Sequence, residues 1–270
     1  MSWERIMVPL AGVAEDAALL ALALNVAEPF GAELAAVHAP ADIADLMPWM
    51  GEGFMGGVQV SAVESLKEAA SEGGQAARQA VGACGYARTS CVSLQSPVWA
   101  GLAMESRLSD VVVFGREAAV GRGPLAEAFQ QIVADEQRPV IVARPGLDVH
   151  GLAAVAWDGG KEATRAARKA LPLLEKASGV LILGAAGASS RKYDPTRLRD
   201  YFAARGVTAD IEEIAGSGDA GPLLLEAARA AGAATLVAGA FGHTRLREYI
   251  FGGTTRTLLN SEGPTLFLSH

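Results

Sequence analysis

A glycine-rich segment near the end of the chain has the residue types and the spacing of an anion site. Two residues separate Gly239 from Gly242, and nine separate Gly242 from Gly252. Glycine lets the backbone approach an oxyanion closely and turn successive N–H groups into one concavity. The segment stands before an apparent helix at 256–260, so free N–H groups and the helix dipole would face a ligand. The pattern predicts a site for a phosphate-type anion.

Three residues connect this segment to the helix, namely Gly253, Thr254 and Thr255. The two threonine hydroxyls can add hydrogen bonds to phosphate oxygens. His243 lies between the glycines and could contact a phosphate or a ribose, but an exposed loop histidine is the more common case.

A carboxylate is predicted at the same place. Asp158 follows the apolar run 152–157, and Gly239 ends the run 234–239. In a flavodoxin-like strand order these two strand ends are neighbours, and ligands bind beyond the carboxyl ends of strands at such a point. We therefore expect one site, although Asp158 could instead cap the helix that follows it.

The elements that must position these residues alternate between strands and helices, which is typical of a parallel sheet covered by helices. Ten strands are predicted in two similar halves, at 5–10, 33–39, 87–94, 110–115 and 139–144, and at 152–157, 179–185, 208–214, 234–239 and 264–269. Each half has a Pro just before its last strand, where a missing N–H is tolerated. Fully apolar runs such as 111–114 suit strands buried on both faces.

The predicted fold class is α/β, with two open, doubly wound, parallel five-stranded sheets in tandem, each in the strand order 3-2-1-4-5. The domains are predicted at 1–147 and 148–270, with a short linker at about 145–151 that favours packing of one domain on the other. The last strand, at 265–269, could serve as an exposed edge.

The glycine segment resembles the motif of the universal stress protein family: Gly, two residues, Gly, nine residues, Gly, then Ser or Thr. Asp158 resembles that family's adenine-side aspartate, and both halves follow its five-strand plan, which is flavodoxin- or Rossmann-like and similar to the adenine nucleotide α-hydrolases. The resemblance implies ATP, with or without Mg²⁺, as cofactor. It implies Ala156, Trp157, Asp158 and Ala185 on the adenine and ribose side, and Gly239, Gly242, Gly252, Gly253, Thr254 and Thr255 around the phosphates.

The chain departs from the motif at Gly253, where Ser or Thr is expected. Backbone donors survive this change and one side-chain contact is lost. The first half departs further, because Leu10 and Ala11 replace the Trp-Asp pair and the spacing after Gly115 is not kept. We interpret the first half as a degenerate copy whose loop arginines, Arg116 and Arg122, could meet an anion but are more often solvated in such loops.

Composition excludes several function classes. Of the 270 residues, 50% are hydrophobic and 20% are charged, and the net charge is -7. A negative chain without a basic stripe argues against binding to nucleic acid or to anionic membrane surfaces. No apolar run reaches the roughly 18–20 residues of a membrane span, and no signal peptide is recognised, so a cytoplasmic protein is expected.

Few other residues indicate chemistry. No Ser-His-Asp set, metal ligand set or nucleophile elbow is visible, so no catalysis beyond slow ATP hydrolysis is expected. His38, His150 and His270 lack ligand spacing and are interpreted as incidental. Cys84 and Cys91 are interpreted as small buried side chains, with a redox pair as the alternative.

Three functions stay open. The leading hypothesis is a stress-responsive regulatory protein that binds ATP or a related adenine nucleotide in the second domain. The alternative is an interaction module of the same family that binds no nucleotide and works as a homodimer, as an internal domain pair or on a protein partner. The third is an adenylating transferase, for which Asp158-Gly-Gly-Lys161 is a poor phosphate loop. The long loop at 40–60 either covers apolar surface between the domains or acts as a lid or partner-docking element.

Overall fold

The computed structural model describes residues 2–42, 57–95, 97–185, 194–214, 219–240 and 253–270. Ten strands occur in these ranges: β1 Arg5–Leu10, β2 Glu33–His38, β3 Thr89–Ser93, β4 Val111–Gly115, β5 Val140–Ala143, β6 Ala153–Trp157, β7 Val180–Ala185, β8 Ala209–Ile214, β9 Thr235–Gly239 and β10 Thr265–Ser269. Each lies within two residues of a predicted strand.

Helices follow the strands. They are α1 Asp16–Phe30, α2 Gly57–Ala83, α3 Val98–Arg107, α4 Arg116–Ala119, α5 Ala126–Ala134, α6 Lys161–Lys169, α7 Leu171–Leu174, α8 Pro195–Ala203, α9 Ala220–Ala230 and α10 Gly253–Asn260. The alternation confirms the α/β class. Most of the loop at 40–60 lies outside the described residues, so its two interpretations stay open.

The strands form one ten-stranded sheet in the order β3-β2-β1-β4-β5-β10-β9-β6-β7-β8. The prediction of two separate five-stranded sheets is therefore wrong. The halves join through antiparallel pairing of β5 with β10, in which Val142 lies opposite Leu266 and Val140 opposite Leu268. Both strands are buried along their whole length, and pairing removes two apolar edges that water would otherwise contact.

The same pairing corrects a second expectation. β10 lies between β5 and β9, so 265–269 is an internal strand and not an exposed edge. The edges of the sheet are β3 and β8. Because the two halves share one sheet, the predicted domain boundary between 147 and 148 stays a prediction.

Alternate residues of the strands face two apolar layers, one on each side of the sheet. In β4, Val111 and Val113 enter one layer, whereas Val112 and Phe114 enter the other. Both layers contain residues of both halves. Trp3 also links the halves, since its ring stacks on Phe267 at a centroid distance of 6.1 Å.

No helix in the described ranges is long and apolar enough to cross a membrane.

Candidate functional site at the carboxyl ends of β6 and β9

The strand order changes direction next to β6. One neighbour of β6 is β7, which continues toward β8, and the other is β9, which continues toward β10. β6 and β9 run parallel, with Val155 opposite Val237. Their carboxyl ends therefore meet at one edge, with Asp158 just past Trp157 and with Gly239 ending β9. In open α/β sheets this is the position where ligands bind.

Gly239 is held against the first turn of α6. A Cβ atom at this position would lie 2.7 Å from the backbone N of Ala163 and 2.7 Å from the carbonyl carbon of Glu162. Both are backbone atoms that cannot move away by a rotamer change, so the packing requires glycine. The amino end of α6 therefore lies directly on the end of β9.

Asp158 is exposed. Its Oδ1 accepts a hydrogen bond of 2.7 Å from the N–H of Gly160, which precedes α6. Gly159, between them, has φ of 73° and completes the tight turn. The carboxylate thus supports the start of α6 and also faces solvent at the strand edge, so the capping and ligand roles are compatible.

The other residues assigned to the adenine side lie close by along the strands. Ala156 and Trp157 are half-buried and point to opposite faces of the sheet, where they pack against the two different apolar layers. Ala185 ends β7, opposite Ile214 of β8.

The phosphate side is described only from α10 onward, because Gly242, His243 and Gly252 lie outside the described residues. Gly253 is exposed, and a Cβ there would meet no atom of the described residues within 4 Å. Thr255 is buried. Thr254 donates its hydroxyl to Asp219 Oδ1 at 3.3 Å. Of the two predicted hydroxyl ligands, one is therefore buried and the other is held by a carboxylate.

Asp219 was not predicted as part of the site. It caps α9 by accepting from the Gly221 N–H at 3.1 Å, and it accepts from Thr257 Oγ1 at 2.9 Å. The Gly221 N–H bond is the main reason that the pKa of Asp219 is lowered. Partial burial opposes this effect, and the hydroxyls of Thr257 and Thr254 add to it. An Asp before a helix indicates an N-cap in sequence, but its contact with α10 depends on the packing of the two helices.

The corresponding edge of the first half has a carboxylate of a different kind. Asp16, at the start of α1, is buried. Its Oδ2 accepts from the N–H groups of Gly12 and Val13 at 2.7 and 3.1 Å, and its Oδ1 accepts from Ala11 at 3.3 Å. The N–H groups of the β1–α1 loop, which could face an anion, are therefore satisfied by a side chain of the protein.

His38 fills the space beside that loop. It is 1% exposed, and its Nδ1 lies 2.8 Å from Ser93 Oγ at the end of β3. A Cβ at Gly12 would lie 2.5 Å from the Cα of Gly73 in α2 and 2.9 Å from His38 Nε2. Helix α2 therefore packs directly onto this edge.

The interpretation of His38 as incidental to ligand binding stays a prediction, and the structure shows that the side chain is part of the packing at this edge. Burial lowers its pKa, nearby Asp16 opposes that effect, and Arg78 adds to it. In the sequence, the pair Gly73-Gly74 inside a helix could have indicated this packing. Each glycine destabilises a helix by about 1 kcal/mol relative to alanine. Two glycines there indicate a close approach.

The two cysteines are free and half-buried, and burial raises the pKa of both thiols. A raised pKa disfavours the reactive thiolate. Within the described ranges, no group of three or more His, Cys, Asp or Glu side chains could hold a metal ion.

Comparison with known structures gives the fold. A universal stress protein from Archaeoglobus fulgidus DSM 4304 aligns over 98% of this chain and 95% of its own, with a TM-score of 0.70 and 15% identity. The fold is that of the universal stress proteins.

Two further structures with this fold come from Pseudomonas aeruginosa. A protein of unknown function from strain PAO1 has a TM-score of 0.55 at 16% identity and aligns over 99% of this chain and 92% of its own. A candidate universal stress protein from strain UCBPP-PA14 has a TM-score of 0.53 at 17% identity, over 99% and 93%. No family model and no curated protein sequence matches the chain.

Proposed function

We propose that this protein is a stress-responsive regulator that binds ATP or a related adenine nucleotide at the carboxyl ends of β6 and β9. One observation carries the proposal: Asp158 and Gly239 lie at adjacent strand ends where the strand order changes direction. The universal stress protein fold supports the stress-related role.

The residues at this edge fit a nucleotide in two respects. The Asp158 carboxylate is exposed and can accept hydrogen bonds from a ribose or an adenine amine. The first turn of α10 has backbone N–H groups without intrahelical acceptors, as every helix has, and they can donate to phosphate. Binding would alter the surface at this edge, which a partner protein could recognise.

One observation favours a second candidate, an interaction module that binds no nucleotide. Asp219 is negatively charged at neutral pH and holds the Thr254 hydroxyl at the amino end of α10. A carboxylate about 4 Å from a phosphate oxygen costs roughly 1 kcal/mol even in water. The two candidates therefore differ in whether the α10 terminus accepts phosphate.

The test is a calorimetric titration of MgATP into the wild type, a Gly253→Ser variant and a Gly253→Ala variant. A Cβ fits at this position, and both substitutions raise helix propensity. Only serine adds a hydroxyl, and a hydrogen bond from a hydroxyl to a charged acceptor contributes about 1.5 kcal/mol to binding. We expect one site per chain and about tenfold tighter binding in Gly253→Ser than in Gly253→Ala.

An Asp158→Ala variant completes the test, because it removes the adenine-side carboxylate and should weaken binding. Absence of heat at millimolar ATP in the wild type and in Gly253→Ser would reject the nucleotide proposal and favour the interaction module.

A further inference from the structure

Three arginines meet where the two halves of the sheet join. Arg116 begins α4 after β4, Arg144 follows β5, and Arg229 lies in the last turn of α9. Each donates to a carbonyl in the last turn of α10 or just after it. Arg144 Nη2 donates to Leu258 at 2.7 Å, Arg116 Nη2 to Asn260 at 2.8 Å, and Arg229 Nη2 to Glu262. The last carbonyls of a helix lack intrahelical donors, so this arginine cluster caps α10.

These hydrogen bonds to α10 leave some N–H donors of the arginine cluster without an acceptor. Arg144 is 4% exposed. Within the part of the chain that the structure describes, Nε and Nη1 of Arg144 and Nε of Arg116 are buried without a hydrogen-bond acceptor. Burial of a charged donor without a partner is costly, and in native proteins such groups commonly mark an ion or an ordered water.

The charges around Arg144 do not balance. Its pKa is lowered to about 10, first by burial and then by repulsion from Arg116 and Arg229, while Glu262 opposes these effects. Glu262 is a weak counterion, because its side chain is 87% exposed and its Oε1 lies 3.8 Å from Arg116 Nη1. Among the described residues, three cations thus face one carboxylate, and the excess positive charge matches a dianion.

The backbone leaves room for the guanidinium groups to converge. A Cβ at Gly263 would lie 3.4 Å from Arg229 Nε and 3.6 Å from Arg144 Nη1. The two groups therefore approach the same glycine from α9 and from the end of β5. Gly263 has φ of 144°, which disfavours any side chain at this position.

We propose that the arginine cluster binds a phosphate group. The phosphate oxygens accept hydrogen bonds from the buried N–H groups of Arg144 and Arg116, and Arg229 covers the bound group. Guanidinium forks match phosphate oxygens in pairs, and a dianionic phosphate neutralises the excess charge that a single carboxylate would leave. Because β10 runs antiparallel to β5 and parallel to β9, this cluster lies at the opposite end of β9 from Gly239. The proposal is independent of the nucleotide site.

The test measures the thermal unfolding midpoint, Tm, as a function of the concentration of inorganic phosphate. Sodium chloride is added so that the ionic strength stays constant. At a phosphate concentration one hundred times the Kd, we expect the wild-type Tm to rise by about 5 °C or more. Arg144→Gln should lose this rise. Arg229→Gln, an exposed position where the fold tolerates change, should reduce it.

Arg107→Gln is the matched control. It removes one arginine that pairs with Glu136 on the surface, far from the cluster in the fold, and should keep the full rise. This control also accounts for the general stabilising effect of phosphate as a salt.

A titration with ATP in the presence of saturating phosphate shows whether the cluster binds free phosphate or a phosphate group of a nucleotide. Release of phosphate, followed by ³¹P NMR, assigns the cluster to a nucleotide phosphate, whereas simultaneous binding assigns it to free phosphate. The proposal is overturned if the wild type shows no phosphate-dependent rise, or if Arg144→Gln and Arg229→Gln rise as much as the wild type. Water would then satisfy the buried donors.

Discussion

The two halves of this protein end their strands in different ways. At the edge of the first half, a buried carboxylate satisfies the loop N–H groups, and a buried histidine and a helix fill the remaining space. At the edge of the second half, the carboxylate of Asp158 is exposed, and so is Gly253. The same order of strands thus carries a buried carboxylate beside the β1–α1 loop in one half and an exposed carboxylate after β6 in the other.

This difference shows that one order of strands can carry a carboxylate with two different sets of partners. Asp16 lies in the helix, five residues after Ala11, instead of at the strand end, and from there it accepts hydrogen bonds from the loop itself. The N–H groups of this loop are therefore satisfied within the protein. Substitutions at Gly12, Asp16, His38 and Asp219 test this difference.

Gly12→Ala should destabilise the protein most. The residue has φ of 78°, and a Cβ would lie 2.5 Å from the Cα of Gly73. Left-handed strain of about 1–2 kcal/mol and overpacking of about 1–3 kcal/mol should together lower the free energy of unfolding, measured in urea. Gly31→Ala is the control, with φ of 60° and nothing within 4 Å. An equal loss in both variants would mean that α2 does not pack on this loop.

Asp16→Ala should destabilise the protein more than Asp158→Ala. Asp16 is buried and accepts from three backbone N–H groups, so its removal leaves three partly buried donors without their acceptor, at a cost of about 2 kcal/mol. Asp158 is exposed and accepts from one, and loss of such a cap costs about 1 kcal/mol. Chemical denaturation of both variants measures the difference. Equal values would remove the distinction between the two edges.

His38 should make stability depend on pH below neutrality. Its folded-state pKa lies below the ordinary 6.5, because burial disfavours the charged form. The unfolded chain then binds more protons as the pH falls from 6.5 toward the folded pKa, so the free energy of unfolding decreases in that window. Urea denaturation across this pH range should show a smaller slope in His38→Gln.

His150→Gln is the control for this experiment, since His150 is exposed in the second half. If the pH dependence of the free energy of unfolding is the same in His38→Gln as in the wild type, burial of His38 does not cause it.

Asp219→Asn should have the smallest effect, a few-fold increase in affinity for MgATP. Asparagine caps a helix as well as aspartate does, so α9 stays capped while one negative charge next to α10 is removed. Calorimetric titration measures the change. Asp194→Asn, at the cap of α8, controls for the loss of a capping carboxylate. A comparable gain there would show that the contact of Asp219 with Thr254 is irrelevant to binding.

Local patterns in the sequence determined the elements of this protein. Apolar runs such as Val111–Phe114, bounded by polar residues and glycine, indicate strands buried on both faces, and all ten strands occur close to their predicted positions. The neighbouring ends of β6 and β9 follow from the alternation of strands and helices. These properties depend on residues that are close in sequence, so they can be predicted from the sequence alone.

Only the tertiary structure decided which surfaces meet. The pairing of β5 with β10 joins segments far apart in sequence, because each strand had an uncovered apolar edge. The contact of Asp219 with α10, the burial of His38 and the convergence of Arg116, Arg144 and Arg229 likewise combine distant residues. A polar side chain acquires its partners and its degree of burial from the packing of the whole chain, so its role cannot be read from its neighbours in sequence.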